Sequence, residues 1–227
     1  MGNSCCGDQR SMPTKSSASA ANRARLAYFD ALPPGVQEAT VESVYDGDTL
    51  TIRERGRARV RLLGIDTPEL KEREPYAKEA AAYTRQLCAP NTRVWLQTPR
   101  GGDGTDRYGR TLAFVFVADV SRGSGYICVN IAILEEGLGS FYAPAGSTTT
   151  YRDELLQAQQ RALRERRNVW SSVNVRAQVV CTRNGIAFHR PDCKLIARSN
   201  PRNLRRLSAE KALEEGHSSC RECKPLM

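Results

Sequence analysis

Five short segments of strand-forming residues, between residues 39 and 117, most constrain what this chain can fold into. Each is rich in β-branched, aromatic or alternating apolar residues. The sequence predicts a helix after the third segment and two more helices after the fifth. This order of elements predicts a mainly β protein with some α structure, built on a small barrel of the Greek-key type. The five segments cover residues 39–45, 49–54, 57–65, 93–97 and 111–117.

The composition divides the 227 residues into four stretches. The first is rich in Ser, Ala and small polar residues, and we expect it to be a disordered leader. The second holds a run that predicts a short helix, ended by Pro33 and Pro34. The third holds the barrel, and the fourth is strongly basic. The predicted limits are 1–22 (leader), 23–38 (short helix and linker), 39–170 (five-stranded barrel with about three helices) and 175–227 (small second unit).

The charge of the chain points to a polyanionic partner. Its 34 basic and 25 acidic residues give a net charge of +9, which favours nucleic acid or an anionic membrane surface through Coulomb attraction and counterion release. Simple solubility would explain the same charge. No apolar run approaches the roughly 18 residues that a membrane-spanning helix needs, so we expect no segment to cross a bilayer.

Three segments concentrate acidic and arginine side chains beside the predicted strands. They read DGDT at residues 46–49, RLLGIDTPE at 61–69 and DRYGR at 106–110. Carboxylates at strand ends can converge on one hard cation through oxygen ligands, and arginine forks match phosphate oxygens. Such groups suit phosphodiester hydrolysis, which needs a nucleophilic water, a base or metal that activates it, and donors that absorb charge. Taken singly, DGD is equally a turn and DTPE a helix start.

These segments resemble the staphylococcal nuclease (thermonuclease) family over about residues 39–170. The family pattern combines a DGDT turn, an R-L-x-x-x-D-T-P-E segment, a D-[KR]-Y-G-R segment and a late helix that closes in N-[IV]-W. The chain has all four, the last as NVW at residues 168–170, and its segment VNIAILEEGLGSFY matches a further helix of the family. The resemblance implies an OB-fold barrel and a metal-dependent nuclease. It also implies cleavage of DNA or RNA at the 5′ P–O bond, which leaves 3′-phosphates.

The resemblance implies a Ca²⁺ site as well. Asp48 and Asp66 would bind the ion through their carboxylates, and Thr67 through its backbone carbonyl. Asp46 would support these ligands without binding the ion itself. An all-oxygen site of this kind suits Ca²⁺, and its few carboxylates predict weak binding.

The resemblance further implies the residues that act on the substrate. Glu69 would be the base that activates water. Arg61 and Arg110 would hold the scissile phosphate and stabilise the charged transition state. Tyr108 and Tyr142 are candidates for contacts with the substrate.

The last stretch carries a Cys/His pattern typical of a zinc site. Cys220 and Cys223 form a C-x-x-C pair, and His189 forms an H-x-x-x-C pair with Cys193. The pattern resembles a small module found at the C-terminus of nucleases, and we expect a structural Zn²⁺, because four protein ligands leave no open position for catalysis. Ordinary buried cysteines with surface histidines are the alternative reading. The substitute ligands would be Cys181 and His217.

Two local signals predict the elements of this last stretch. Residues 179–182 and 186–188 predict a hairpin around the dipeptide Asn-Gly at 184–185. Ser208 predicts the start of a short helix, which Gly216 would end.

The leader begins MGNSCC, which resembles a signal for myristoylation of Gly2 and palmitoylation of Cys5 and Cys6. Two acyl groups would anchor the chain to the cytoplasmic face of a membrane. This interpretation requires a eukaryotic host, and an unmodified flexible leader is the alternative. The leader lacks the apolar core of a secretory signal, so we expect an intracellular protein with reduced thiols rather than a secreted one.

Two other functions fit parts of the sequence. OB-type barrels also bind single-stranded nucleic acid without cutting it, and the last stretch with the leader would suit a membrane-tethered scaffold. The carboxylates discriminate between these functions. A binding surface does not need Asp48, Asp66 and Glu69 close to phosphate, because like charges repel.

Overall fold

The computed structural model describes residues 25–99, 104–144 and 150–226. In chain order, the strands are β1 (Tyr28–Phe29), β2 (Gln37–Val44), β3 (Thr49–Ile52), β4 (Arg59–Leu62), β5 (Ile65–Asp66), β6 (Arg93–Gln97), β7 (Thr111–Ala118), β8 (Tyr126–Cys128), β9 (Ser140–Phe141), β10 (Gln178–Thr182), β11 (Ala187–His189), β12 (Leu204–Ser208) and β13 (Ser218–Ser219). The helices are α1 (Glu54–Arg57), α2 (Ala77–Leu87), α3 (Val129–Glu135), α4 (Arg152–Arg164) and α5 (Ala209–Glu214).

Five of the strands close into a barrel. The neighbours β2, β3 and β4 are antiparallel, and β4 pairs with β7 in parallel. The strand β6 closes the ring, because it pairs with both β7 and β2. A register shift between Val41 and Ser43 marks a bulge in β2, which increases the local bend that closure needs. The predicted fold, a mainly β chain with a five-stranded OB-type barrel, is confirmed.

The interior of the barrel is filled by alternate strand residues and by α3. Val60 and Leu62 of β4 are fully buried, as the period of two along a strand requires. All seven residues of α3 are buried. Among them, Asn130 donates from Nδ2 to the Leu63 carbonyl at 2.8 Å and accepts the Val115 N–H at 2.9 Å. These hydrogen bonds satisfy the buried amide and join the helix to the barrel wall.

The prediction of a short helix over residues 23–38 is wrong for the part of that stretch that the structure describes. Tyr28–Phe29 form β1, which pairs with β8. The ring of Phe29 packs edge-on against Phe116 and Tyr151, with centroids 5.4 and 5.5 Å away. Strand pairing and these aromatic contacts outweigh the local helix propensity, which is a weak preference.

The third predicted strand, residues 57–65, is split in the structure. Strand β4 ends at Leu62, and Gly64, with a φ of +76°, turns the chain before β5. Such a positive φ is easy for glycine and strained for most other residues. The separated β5 pairs with β9. The turn therefore takes the segment that carries Asp66 out of the barrel wall.

We call residues 171–226 the tail. Its four strands form a second sheet in the order β12-β10-β11-β13. The predicted hairpin is present as β10 and β11, and the predicted cap is present because Ser208 Oγ accepts the Lys211 N–H at 3.2 Å. Leu163 and Trp170 share one apolar cluster with Phe188 of the tail. Because this cluster spans the predicted boundary, the domain limits stay a prediction.

The lipidation sites predicted for the leader, Gly2, Cys5 and Cys6, lie outside the described residues. Residues 100–103 also lie outside the described residues, as do residues 145–149, which follow Tyr142 in the chain. Within the described ranges, none of the helices has the length and apolar character that crossing a membrane requires.

Candidate active site

An open cleft lies where the barrel, the segment after β5 and the tail meet. Its walls include side chains from β4, from the turns on either side of it and from the tail. The cleft gathers every residue that the sequence analysis connected with nuclease chemistry: Asp46, Asp48, Arg61, Asp66, Thr67, Glu69, Tyr108, Arg110 and Tyr142.

The turn between β2 and β3 holds two carboxylates in a fixed orientation. Asp46 Oδ1 accepts the N–H of Asp48 at 3.1 Å, and both side chains are buried. The Gly47 carbonyl accepts a hydrogen bond from Thr84 Oγ1 of α2 at 2.7 Å. A Cβ atom on Gly47 would lie 2.7 Å from Thr67 Oγ1, so the close approach of turn and loop requires glycine here.

Asp48 is tied directly to the segment after β5. Its Oδ2 accepts the N–H of Thr67 at 2.9 Å, and its Oδ1 accepts the hydroxyl of Thr49 at 3.1 Å. These two bonds orient the carboxylate. They also bring the Thr67 backbone and the preceding Asp66 to the same part of the cleft.

Arg61 joins two of the predicted metal ligands. Its Nη2 lies 3.1 Å from Asp48 Oδ2 and 3.2 Å from Asp66 Oδ1. Its Nη1 donates to the Leu62 carbonyl at 2.7 Å, which fixes the plane of the guanidinium. One nitrogen therefore connects two carboxylates that come from different elements.

The electrostatics of the cleft favour a cation. Burial raises the pKa of Asp48, and the nearby charge of Arg61 offsets this only in part. Burial also raises the pKa of Asp46. Burial and the charge of Asp48 raise the pKa of Glu69. Burial disfavours the charged form of these carboxyl groups, and a bound divalent cation would stabilise that form.

The donor atoms of the cleft fit a hard divalent ion. The Asp48 and Asp66 carboxylates and the Thr67 carbonyl offer oxygen only, which Ca²⁺ and Mg²⁺ prefer. Two carboxylates and one carbonyl leave further coordination positions for water or for phosphate oxygens. These three residues, each predicted from the sequence, are therefore suitable for a divalent metal.

Arg110 is oriented by the turn that precedes β7. Its Nε donates to Asp106 Oδ2 at 2.7 Å, and its backbone N–H donates to Asp106 Oδ1 at 3.0 Å. Tyr108 in the same turn is 66% exposed. The guanidinium carbons of Arg107 and Arg110 lie 4.8 and 5.5 Å from the centroid of its ring. The turn thus presents an aromatic ring and two cations to solvent beside the carboxylates.

Glu69 stands at the edge of the cleft, three residues after Asp66. Its backbone N–H donates to Glu74 Oε2 at 2.9 Å, which holds the loop that carries it. Tyr142 also lines the cleft, and its N–H donates to the Gly64 carbonyl at 3.0 Å. Both side chains thus reach the same space as the metal-ligand candidates.

A second group of ligand atoms lies in the tail. We call His189, Cys193, Cys220 and Cys223 the His/Cys cluster. Their ligand atoms all lie within 4.8 Å of one another, and no other group of three or more His, Cys, Asp or Glu ligand atoms that could hold a metal is found in the described residues. His189 Nδ1 is 3.4 Å from Cys193 Sγ. The separation of His189 and Cys193 is close to one edge of a tetrahedron with bonds of about 2.0–2.3 Å, the geometry of structural zinc.

The environment of the His/Cys cluster is also suited to metal. Burial lowers the pKa of His189, which favours the neutral imidazole that binds metals. Burial raises the pKa of Cys223 to about 11, and the neighbouring thiols add to this. A bound cation would favour the thiolate forms that such crowding opposes.

The two substitute ligands lie elsewhere. Cys181 is fully buried in the apolar cluster that contains Trp170 and Phe188. His217 Nε2 lies 3.7 Å from Glu215 Oε2. The structure therefore brings together the four preferred residues and leaves Cys181 and His217 outside.

Two cleft residues of the tail, Arg221 and Lys224, are not predicted from the sequence. Arg221 Nη2 donates to Asp66 Oδ1, and Lys224 Nζ lies 3.3 Å from Glu74 Oε1. The spacing of Arg221 between Cys220 and Cys223 was visible in the sequence. Its partner lies 155 residues earlier in the chain, and no local pattern connects the two.

An OB-type barrel with carboxylates and arginines in one cleft defines the class of protein, and the comparison with known families agrees. Residues 59–172 match the family described as staphylococcal nuclease homologue. The match spans half of the chain, and the chain belongs to this family.

Three relatives show how far the similarity extends. The thermonuclease of Staphylococcus intermedius is 37% identical over 137 residues, which are 57% of this chain and 74% of that protein. The thermonuclease of Staphylococcus hyicus is 34% identical over 143 residues, 60% of this chain and 77% of that protein. Endonuclease YncB of Bacillus subtilis is 31% identical over 137 residues, 58% of this chain and 61% of that protein.

Proposed function

We propose that this chain is a Ca²⁺-dependent nuclease that hydrolyses DNA, RNA or both at the 5′ P–O bond and leaves 3′-phosphates. The family and its thermonuclease and endonuclease relatives support the nuclease class. The observation that carries the proposal is the bridge from Arg61 to both Asp48 and Asp66. A guanidinium, which is suited to binding phosphate, thus lies beside two carboxylates, which are suited to binding a divalent ion.

Asp48, Asp66 and the carbonyl of Thr67 would hold the metal, with Asp46 fixing the orientation of Asp48. A bound divalent ion would act as a Lewis acid toward a phosphate oxygen and would lower the pKa of bound water. Mg²⁺ prefers a more rigid octahedral set and keeps more of its water. Ca²⁺ accepts about six to eight oxygen ligands in less regular geometry, so two carboxylates, one carbonyl and water or phosphate oxygens would be a suitable set for it.

Glu69 is the proposed general base. Burial raises the pKa of Glu69 toward neutral pH, and a general base is most effective when its pKa lies near the pH at which the enzyme works. The water oxygen attacks phosphorus and its proton passes to Glu69. The P–O5′ bond breaks, and the departing 5′ oxygen receives a proton from solvent. The 3′ oxygen keeps the phosphate.

Arg61 and Arg110 are the proposed phosphate ligands. Each guanidinium is already oriented by carboxylates, Arg61 by Asp48 and Asp66, and Arg110 by Asp106. Orientation before binding reduces the entropy lost when the substrate is bound. The remaining N–H groups can donate to the non-bridging oxygens as negative charge develops there.

The His/Cys cluster is proposed to hold one structural Zn²⁺. Its four protein ligands leave no open coordination position, so the ion would stabilise the tail rather than take part in hydrolysis. A metal suits this unit because a small chain segment supplies little core of its own.

Digestion of single-stranded DNA and of RNA tests the proposed nuclease. We expect cleavage with Ca²⁺, none in excess chelator, and 3′-phosphate ends on the products. Glu69→Gln should lower kcat by a factor of about 10²–10⁴. Glu79→Gln on the exposed side of α2 is the matched control and should retain full activity.

Three results would count against this function. Cleavage that persists in chelator would exclude the metal role, and 5′-phosphate ends would exclude the proposed leaving group. Tight binding of single strands by the wild-type chain without any cleavage would instead favour a binding module of the OB type.

A further inference from the structure

The tail adds one guanidinium to the cleft, that of Arg221. Arg221 Nη2 donates to Asp66 Oδ1, the same oxygen that lies 3.2 Å from Arg61 Nη2. Two arginines, one from the barrel and one from the tail, thus share a proposed metal ligand. The hydrogen bond to Asp66 raises the pKa of Arg221, and the negative charges of Asp66 and Glu69 add to this.

The His/Cys cluster fixes the turn that carries Arg221. The Cys220 N–H donates to the Phe188 carbonyl at 3.0 Å, and the Lys224 N–H closes the turn on the Cys220 carbonyl at 2.9 Å. The Arg190 N–H donates to Cys223 Sγ at 3.2 Å. Because Arg221 lies between two cluster cysteines, the geometry of the cluster determines where its side chain enters the cleft.

A second cation holds the same turn against the loop of the proposed base. Lys224 Nζ lies 3.3 Å from Glu74 Oε1, and Glu74 Oε2 accepts the N–H of Glu69. The tail therefore contacts the cleft at two positions, one at Asp66 and one behind Glu69. Two contacts of this kind define one orientation of the tail turn.

Stability does not account for the position of Arg221. Its side chain is 69% exposed, and exposed ion pairs contribute little to folding. Arginine carries five N–H donors, so a bond to Asp66 leaves others directed toward solvent. The carboxylates of the cleft repel a phosphate group. An exposed guanidinium beside them can donate hydrogen bonds to that phosphate and offset the repulsion.

We propose that Arg221 is a substrate-binding residue of the nuclease site, which contacts a phosphate of the bound strand, and that the His/Cys cluster presents it. The inference rests on the proposed nuclease function, since it assigns one more contact to the same cleft. The tail then completes the site rather than forming a separate binding module. The ligand is the sugar–phosphate backbone of a single strand, which needs no particular base.

Binding and turnover of Arg221→Ala and Arg221→Lys test the proposal. Affinity for a short labelled single-stranded DNA is measured by fluorescence anisotropy in a Glu69→Gln background with Ca²⁺, so that the strand stays intact. Arg221→Ala should weaken binding about tenfold, as loss of a charge-assisted hydrogen bond does. It should also lower the slope of log K against log salt by about 0.7, the value for one phosphate contact on a single strand.

Arg221→Lys separates charge from geometry. It should keep the salt slope and recover part of the affinity, because an ammonium keeps the charge but lacks the planar fork. With Glu69 restored, Arg221→Ala should raise KM. The matched control is Arg206→Ala, which removes the same charge from an exposed position of the tail. It should change neither the affinity for the labelled strand nor the salt slope. The melting temperature of Arg221→Ala should stay within roughly a few degrees of wild type.

Cys223→Ser tests the presenting role of the cluster. We expect it to reproduce the affinity loss and the lower salt slope of Arg221→Ala, although Arg221 itself is intact. Wild-type affinity in Cys223→Ser would overturn this part of the proposal.

Two results for Arg221→Ala would overturn the main proposal. Unchanged affinity and salt slope would mean that Arg221 makes no phosphate contact. Tighter binding or faster cleavage would mean that Arg221 obstructs Asp66. Neither result depends on whether the wild type cuts DNA, since binding is measured separately. An inactive wild-type chain with the expected Arg221 effect on binding would refute the nuclease function alone.

Discussion

At the scale of single residues, the site depends on how closely its loops approach one another. Gly47 lies between Asp46 and Asp48, and a Cβ atom there would be 2.7 Å from Thr67 Oγ1 and 2.8 Å from Ala80 Cβ. The same turn orients both carboxylates. Glycine is therefore required at position 47 if Asp46 and Asp48 are to keep their observed positions.

Gly47→Ala should disturb the site through this contact. Overpacking typically costs about 1–3 kcal/mol of stability, and a displaced ligand can reduce kcat/KM up to about 100-fold. Thermal unfolding and nuclease assays over a range of Ca²⁺ concentrations measure the two effects. We also expect weaker Ca²⁺ binding by calorimetry.

Gly56→Ala is the control for this variant. Gly56 has a φ of +69°, and nothing lies within 4 Å of its Cβ position, so alanine there should cost about 1–2 kcal/mol of backbone strain without moving the cleft. Stability should fall while kcat/KM per folded molecule stays at the wild-type value. A wild-type kcat/KM in Gly47→Ala would show that the turn tolerates displacement.

At the scale of elements, α4 joins the barrel to the tail. Gln159 on its buried face accepts the Phe141 N–H of β9 at 2.7 Å and donates to the Leu213 carbonyl of α5 at 3.2 Å. Leu155 and Ala162 on the same helix are fully buried. One side-chain amide thus forms hydrogen bonds with the backbone of β9 and with the backbone of α5 in the tail.

Gln159→Leu should destabilise both partners of this helix. It would leave the buried Phe141 N–H without its hydrogen bond, at a cost of about 1–3 kcal/mol. It would also remove one hydrogen bond from the Leu213 carbonyl, which keeps the bond from the Gly216 N–H at 3.1 Å. Chemical denaturation measures the loss, and amide hydrogen exchange should rise in both β9 and α5. Gln157→Leu, on the exposed side of α4, should change stability by less than about 0.5 kcal/mol. Equal stability of the two variants would contradict this role of Gln159.

At the scale of the whole molecule, the tail packs on residues of the nuclease domain and carries the His/Cys cluster. Trp170 is buried among residues of both parts, so its fluorescence reports on their contact. The chain contains two tryptophans, and Trp95→Phe therefore leaves Trp170 as the single reporter.

Metal removal tests this dependence. In the Trp95→Phe background we expect about one zinc per chain by elemental analysis, and a chelator strong enough to remove it should shift the Trp170 emission to the red. Cys193→Ser should lose the metal and show the shifted emission without chelator. Cys181→Ala removes a buried thiol outside the cluster and should keep the zinc. Full zinc content in Cys193→Ser would contradict the assigned ligand set.

Patterns within short stretches of sequence predicted the elements best. Four of the five barrel strands agree with their predicted limits to within two residues, and β6 agrees at both ends, Arg93–Gln97. The local sequence predicts a helix where β1 lies, because the partner of β1, β8, is about 100 residues away in the chain. Two-residue strands such as β5 and β9 are too short to show a period. Distant pairing, rather than local propensity, decides such elements.

The sequence by itself determined which chemical groups are present, because the DGDT, RLLGIDTPE and DRYGR segments and the four cluster ligands are local patterns with known chemistry. Only the tertiary structure decided which of these groups meet. The contact of Arg221 with Asp66 joins residues 155 positions apart, and it exists because β5 leaves the barrel wall and the His/Cys cluster turns the tail toward it. Contacts between distant segments arise from the packing of whole elements, which no short stretch of sequence encodes.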